Sequence, residues 1–545
     1  MRIKFSLLYF LILISSASFA QVLQNSQING SFQIDGQYYQ TDSAIGAYAP
    51  AQDIDLMGFG NLTFTNGPFT AGVRYESYNN AIVGYDQRYN GSEIVHRYAQ
   101  YNNDGLDITI GNFYEQFGNG LIFRSYQDWS LGYDNAMDGI RVVFEPTKGI
   151  RLKGAYGKQR FFYENGPGIV RGIDGEISIN DFLSNYKESW SSKKLKTVLG
   201  ASVVSKYQKD NDPLRKLPEN VLAYALRANI NYNDFFLLSE YAYKYNDPST
   251  GNGLIYKPGN ALYLVSGYSK KGIGLTVSGK WIDNMNFRSD RAAVLNDLSI
   301  NFLPALPKEQ TYRLATLYPY GTQSNGEFSG KAELYYRFQP KTKLGGKYGT
   351  QINLSSSMVQ SIDTDSATSK EFGPKSNFLT PGDERYFRDV NFEIEKKISP
   401  NFKGSAQYIY TEYNKNVIEG KVGADYVYAH INIIEFYYKI NTTHNIRTEL
   451  QHLFTDQDKK NWVMALIEYS IAPHWFITAY DEYNYGNEKS KERIHYLNGN
   501  IVYAFGSNRI SIGYGKLRAG LLCVGGVCRV VPASSGLTFS ITSSF

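Results

Sequence analysis

Cysteine is nearly absent from this 545-residue chain, which holds only Cys523 and Cys528. No histidine or further cysteine lies near that pair in sequence to complete a tetrahedral site, so a metal is not expected there and a disulfide across Val524-Gly525-Gly526-Val527 is. Scarce thiol also suits an exported chain, where an unpaired one is a liability. Histidine is equally thin. His96, His430, His444, His452, His474 and His495 are scattered without ligand spacing and read as strand or turn residues. His-Glu-x-x-His, Gly-x-Ser-x-Gly and the phosphate-cradling Gly-rich loop are all missing. The acidic pairs Asp210/Asp212, Asp363/Asp365 and Asp456/Asp458 offer oxygen ligands, but none keeps the twelve-residue Ca²⁺-loop register, so solvated charge is expected. No cofactor and no metal follow from these residues.

After Ala20 there is no apolar run of helix-spanning length, which excludes helical membrane spans. Pro-rich tracts, Ser/Gly tracts, blocks of like charge and 20–50-residue repeats are also missing, so neither a string of linked domains nor a solenoid is indicated. Charge of one sign is scarce too. The formal +5 falls to +3 once Arg2 and Lys4 leave with a leader, and that near balance gives no electrostatic case for nucleic acid.

What is present begins with that leader. Arg2 and Lys4 precede the apolar stretch Phe5 to Ile14, and Ser18-Phe19-Ala20 forms an A-x-A-like cleavage site. Residues 1–20 therefore read as a signal peptide and 21–545 as the mature chain. The mature part is rich in aromatics, with 46 Tyr and 31 Phe in the whole sequence, while mean hydropathy stays at −0.37. Tyrosine suits a membrane–water interface, since its ring is apolar and its tip polar. A soluble Tyr-rich β-protein would share that composition.

Alternation and turn length decide between the two. Apolar side chains fall on every second residue in Asn61–Thr65, Ala71–Tyr78, Leu106–Gly111, Ile140–Glu145, Ala223–Ile230, Ala332–Phe338 and Phe476–Tyr480, the period of a β-strand. Short turns recur at Asn66-Gly67-Pro68, Asn103-Asp104-Gly105, Pro146 to Gly149, Asn233-Asp234, Ser399-Pro400-Asn401 and Gly506-Ser507-Asn508. Longer polar stretches intervene, such as Asn79 to Glu93, Glu115 to Asp138, Asp283 to Gln310 and Met358 to Glu384. Short periplasmic turns alternating with longer extracellular loops are the wiring of an outer-membrane barrel. A sandwich has no reason to sort its loops by parity.

The fold class expected is therefore all-β: a large single-chain antiparallel transmembrane β-barrel. Pairing strands around each short turn gives about 22–24 of them, an even number in the range of roughly 16–26. The last segment, Gly536 to Phe545, alternates apolar and hydroxyl residues and stops on an aromatic, resembling the terminal strand by which barrel-assembly machinery recognises its clients. Phe545 is the expected assembly signal. Localisation follows as the outer membrane of a Gram-negative bacterium.

The segments Asn112 to Tyr126, Asp134 to Gly139, Gly157 to Arg160 and Cys523 to Arg529 together resemble an uncharacterised family of outer-membrane barrels from Bacteroidota. The resemblance spans most of the mature chain and implies a barrel, with no activity attached. Asp42-Ser43-Ala44 and Asp365-Ser366-Ala367 also resemble the short O-glycosylation signal of that phylum, which makes Ser43 and Ser366 candidate acceptors in outer loops.

Strand arginines should point into the lumen, because Arg facing lipid at midplane costs about 2–4 kcal/mol. Arg74, Arg141, Arg151, Arg227 and Arg337 are such positions. Glu115 to Asp138 is the candidate special element, and a loop folded inward would narrow a pore, with Arg124 biasing it toward anions; an ordinary surface loop is the competing reading. Arg124, Arg141, Arg151 and Arg227 are thus candidate lumen or constriction residues. Two functions fit equally: a porin-like channel or transporter for polar solutes, or an accessory subunit of an outer-membrane assembly or secretion machine. A barrel-borne surface hydrolase is the alternative, and no enzyme is expected. Without a recognisable N-terminal plug carrying an energy-coupling box, TonB-type import is disfavoured. The partners expected are outer-membrane lipid and lipopolysaccharide, barrel-assembly machinery, and other outer-membrane proteins or lipoproteins.

Overall fold

A computed structural model describes residues 26–366 and 371–545, and the expected signal peptide at 1–20 lies outside them. Twenty-four antiparallel strands form one sheet, each paired with its sequence neighbours. The first, Ser26–Tyr39, pairs on one side with Ile54–Asn66 and on the other with the last, Ser534–Ser544, so the sheet closes on itself. Closure leaves no unpaired edge, as a sheet surrounded by hydrocarbon requires. Beyond the last strand, Phe545 exchanges backbone hydrogen bonds of 2.9 and 3.0 Å with Gly30. Its ring lies where a side chain at residue 30 would be, which is why glycine stands there.

Alternation sorts the two faces. In Asn220–Tyr232 the even positions Leu222, Leu226 and Tyr232 are exposed on the outer wall, while Val221, Ala223, Ala225 and Arg227 are buried on the inner one. The same register puts Ile110, Ile173, Val277, Leu450 and Ile501 on the outside. Aromatic residues bracket this apolar band. Near the short turns, outward rings pair as Phe69–Tyr101, Phe235–Tyr268, Phe402–Phe436 and Trp475–Tyr503, with centroids 4.6 to 5.6 Å apart. Tyr38, Tyr156, Tyr428 and Tyr514 are exposed toward the other end. An apolar belt between two aromatic girdles is the lipid-facing surface of an outer-membrane barrel. No helix among the described residues is long and apolar enough to cross a membrane, so the crossing is made by strands. The protein is an integral β-barrel of a Gram-negative outer membrane.

Turn length follows end with a few exceptions. Both chain ends of the barrel and most tight turns share one mouth, the periplasmic one by the loop-length rule. There, however, the connection 179–194 carries a short helix, Ile179–Ser184. At the opposite mouth Phe161 and Glu164 are joined by a two-residue turn in which Phe162 adopts a φ of 57°. Met358 to Glu384, expected as a long loop, is mostly strand: Thr350–Thr364 and Ser376–Lys397 extend well beyond the wall on either side of it. Four further short strands lie outside the barrel sheet, Gln127–Asp128 with Tyr133–Asp134 and Gly520–Val524 with Val527–Val531.

Candidate functional site

The inner wall changes character along its height. Toward the periplasmic mouth it presents Ser31, Gln33, Asn61, Thr63, Asn229 and Asn231, polar side chains that still reach solvent. Toward the outer mouth the inward positions turn apolar and buried, as in Met57, Phe59, Val204, Val359, Ile431 and Trp462. Inward apolar groups need cover, and three connections at the outer end supply it: 114–136, 284–325 and 518–533.

The first connection enters through Phe117-Gly118-Asn119-Gly120-Leu121. Gly118 and Gly120 reverse the chain with φ of 53° and 89°, values that a residue with a Cβ adopts only under strain. Gly118 lies against the Glu240 carboxylate, and Asn119 donates its backbone N–H and Nδ2 to Glu240 Oε2, both at 2.7 Å. Phe117, Leu121, Ile122 and Phe123 are no more than 1% exposed. They pack with Met285, Phe287 and Ile300 of the second connection against the wall residues Val221, Ala223, Ala225, Ala242 and Ala261. Alanines along that wall leave the width the plug occupies. The two insertions are also joined by backbone, Arg124 N–H to Ile300 O at 2.8 Å and Phe302 N–H to Gly120 O at 2.9 Å. Further along, Leu314, Tyr318 and Tyr320 fill the other half of the lumen against Phe387, Ile409, Tyr413, Ile431 and Leu453.

A row of wall lysines fixes the plug from the side. Lys153 Nζ donates to Gln116 O at 2.9 Å, Lys206 to Arg288 O at 2.7 Å, Lys244 to Asn286 O at 2.8 Å and Lys280 to Pro304 O at 2.5 Å. Three of them also hold a carboxylate: Glu115 at 2.7 Å, Asp247 at 2.7 Å and Glu327 at 2.8 Å. Each lysine therefore satisfies a carbonyl that an irregular buried segment would otherwise leave orphaned. Four strands contribute, so the plug is tied around an arc of wall.

Arginines add ion pairs. Arg74 and Arg160 share Glu76 and Asp134, with Arg160 Nη2 to Glu76 Oε2 at 2.7 Å and Nη1 to Asp134 Oδ2 at 2.6 Å. All four side chains are at most 8% exposed. Arg141 sits between Asp107 at 2.9 Å and Glu115 at 2.6 Å; Arg227 sits between Asp174 at 2.6 Å and Glu176 at 3.0 Å. Both face the lumen with their charge engaged by carboxylates. Arg151, near the periplasmic mouth, meets Glu145 at 3.4 Å and stays half-exposed. Arg124 lies inside the plug between the Tyr126 and Phe302 rings, 4.2 and 4.0 Å from their centroids.

The disulfide joins Cys523 and Cys528 across the Gly520–Val524/Val527–Val531 hairpin. The hairpin covers the plug. Gly526 O accepts from Thr322 N–H at 2.9 Å, Gly525 O from Ala305 N–H at 3.3 Å, and Cys528 O from Asn296 Nδ2 at 2.7 Å. Arg529 reaches Ser130 O at 2.8 Å and also Gly84 O, tying the hairpin to the first connection and to the loop after Asn79.

Sequence reasoning singled out the 115–138 segment but took 283–310 for an outer loop. The structure turns 284–325 inward, and it is the larger part of the plug. A signal was available in Met285, Phe287, Ile300, Leu303, Leu306 and Leu314, apolar residues too frequent for a solvated loop. A second lay in strand stretches apolar on both faces, such as Val221 to Leu226. Asp210 and Asp212 brace their own turn, Asp212 accepting from Leu214 and Arg215 N–H and Asp210 from Leu217 N–H, while Asp458 pairs with Lys415 of another connection at 2.6 Å. No group of three potential metal ligands occurs among the described residues. Ser43 and Ser366 are exposed at the outer mouth.

Residues 1–545 match the model of the family of unknown function DUF6029. A search of curated proteins finds no match. Among solved structures, the chain is similar to the P pilus usher (PapC) translocation pore, with a TM-score of 0.47 and 9% identity over 95% of this chain and 99% of that one. The siderophore receptor PirA from Pseudomonas aeruginosa gives 0.42 and 10% over 95% and 80%. OccAB3 of Acinetobacter baumannii gives 0.35 and 8% over 96% and 100%. The chain belongs to the DUF6029 family.

Proposed function

We propose that this member of DUF6029 is a gated conduit for polar solutes across the outer membrane, closed at its outer half by its own plug. The observation that carries this is the division of the lumen: a polar, solvent-reaching vestibule ends abruptly on inward-folded connections. An always-open porin does not fit a lumen so filled. The plug is held by hydrogen bonds from Lys153, Lys206, Lys244 and Lys280 and by the Lys153–Glu115 ion pair, contacts that a solute or a partner can exchange one for one. Planar-bilayer conductance tests the reading. The native protein is expected to be silent or nearly so, and a variant with residues 286–323 replaced by a short Gly/Ser linker to show large stepwise openings. A linker variant that keeps the heat-modifiable gel shift of a folded barrel yet stays silent would overturn it.

A second reading, an accessory subunit of an assembly or secretion machine, is favoured by exposed apolar side chains on the outer loops. Leu214, Leu295 and Val422 are 82% to 98% exposed there. Stoichiometric co-purification with other envelope proteins or lipoproteins in mild detergent, together with a silent linker variant, would move the assignment to it. In either role the apolar wall is taken to lie among outer-membrane lipid and lipopolysaccharide. Phe545, whose ring is exposed beside the closing seam, is the proposed handle for barrel-assembly machinery, and Ser43 and Ser366 are proposed sugar acceptors.

A further inference from the structure

Between the plug segment 305–320 and the disulfide hairpin lies a cavity of about 490 Å³, within the range of small-molecule sites. Its lining combines flat apolar surface with cationic side chains. Tyr318, Tyr320, Phe387, Leu521 and Val531 supply the apolar part, and the Tyr320 and Phe387 rings stand 5.4 Å apart at 49°. Lys308, Arg313, Arg518 and Arg529 supply the charge.

The carboxylates nearby engage these cations unequally. Arg313 and Arg518 share the single fully buried Glu482, with Arg518 Nε at 3.1 Å from Oε2. Lys308 reaches Glu393 only at 3.9 Å. Glu309 lines the cavity but is exposed, and it accepts from Gly525 N–H at 3.5 Å. Arg529 forms no ion pair among the described residues. Its guanidinium rests on the carbonyls of Ser130 and Gly84 and on the Tyr85 ring, 4.7 Å from the centroid. Asp128, which is held by Ser130 and Leu131, acts on Arg529 only at longer range, so Arg529 is the cation of this lining without an ion-paired carboxylate, and it stands beside the Tyr320 and Phe387 rings. A half-enclosed guanidinium satisfied only by neutral carbonyls gains from a charge-assisted partner.

We infer that this cavity binds an aromatic carboxylate, its ring between Tyr320, Phe387 and the hairpin and its anionic group on Arg529 and Lys308. The inference deepens the conduit reading, on which it rests for its role, by naming the class of solute or effector that meets the plug. Because the site is built from both the plug and the hairpin, an occupant contacts the two pieces whose separation opens the lumen.

Calorimetric titration of the full chain in detergent tests the binding without conductance, with detergent alone as the blank. The probes are 2-naphthoate and its neutral analogue 2-naphthamide. Naphthoate should bind one per barrel and the amide about tenfold more weakly, the loss of one charge-assisted hydrogen bond. Arg529→Gln and Lys308→Gln should each weaken naphthoate and leave the amide unchanged, while Lys403→Gln at the periplasmic mouth should alter neither. Equal affinity for both probes, or naphthoate binding unaltered in Arg529→Gln and in Lys308→Gln alike, would overturn the site. A barrel that binds naphthoate but fails the linker-variant conductance test keeps the site and loses the conduit.

Discussion

The outer and periplasmic halves of the lumen are lined by the same strands, yet they are built on different principles. In Asn220–Tyr232 the inward face runs Val221, Ala223, Ala225 at the plugged end, crosses the ion-paired Arg227, and continues as Asn229 and Asn231 in the vestibule. The outward face shows no such change, because lipid meets it along its whole apolar height. An inward face has no lipid to satisfy. Where it is nonetheless apolar, another part of the chain must cover it, and here the 114–136 and 284–325 connections do so. Composition of the inner register thus reports occupancy of the lumen, as composition of the outer register reports the membrane.

Substitutions in the two halves should differ most at the buried ion pairs. Glu76→Gln leaves Arg74 and Arg160 with only Asp134 between them, and breaking a buried pair from one side costs about 3–5 kcal/mol. Denaturant unfolding of the reconstituted barrel reads that loss, whereas Thr63→Ala in the vestibule should fall within about 0.5 kcal/mol. Next in size is the plug core, where Phe123→Ala should cost about 3–4 kcal/mol of plug docking and raise current noise and protease sensitivity of the 284–325 connection. On the outer wall, Leu226→Arg should cost about 2–4 kcal/mol, while a polar change at the neighbouring inward vestibule position, Asn229→Ser, should be nearly silent. Replacing both cysteines by serine frees a short closed loop, worth about 2 kcal/mol of hairpin order, and should be seen as faster amide exchange in 520–531. The smallest effect concerns the outer rim. A hydrogen bond from Lys516 at 2.6 Å, reinforced by its charge, holds the Asp42 carboxyl below the usual carboxylate range. A carboxylate lowered in the folded state contributes its stability above its unfolded pKa and loses it as pH falls through the folded value. A double-mutant cycle of Asp42→Ala with Lys516→Ala should therefore give about 0.5 kcal/mol of coupling at neutral pH and progressively less below about pH 4.

The barrel was legible in the sequence because its signals are local. Alternation, tight turns such as Asn66-Gly67-Pro68 and the aromatic C-terminal strand each need only a few neighbouring residues, and they led to a strand number that includes the observed one. The plug was less legible because its partners are remote. Phe123 and Ile300 meet across a long separation in sequence, and Lys244 finds Asn286 O only once the strands are in register. The inward turn of 114–136 left a trace in Gly118, Gly120 and its aromatics. That of 284–325 was masked by Arg288, Asp290, Arg291 and Asp297, which read as a solvated loop but lie at its outer edge: Arg288 spans back to the carbonyls of Asp297 and Leu295, and Asp297 meets Arg88 at 2.9 Å. Lumen arginines were placed from lipid exclusion alone. The carboxylates that pair with Arg141 and Arg227 lie on other strands and on the 114–136 connection, so these pairs form only in the observed register.

Thiol accessibility tests the occupied outer lumen most directly. Ala223→Cys lies under the plug and Thr63→Cys in the vestibule, and both face inward from the wall. With a membrane-impermeant maleimide, the residue 63 thiol should label rapidly and the residue 223 thiol hardly at all, becoming reactive when residues 286–323 are replaced by the Gly/Ser linker. Equal labelling of the two in the otherwise native barrel would contradict a lumen filled at its outer half.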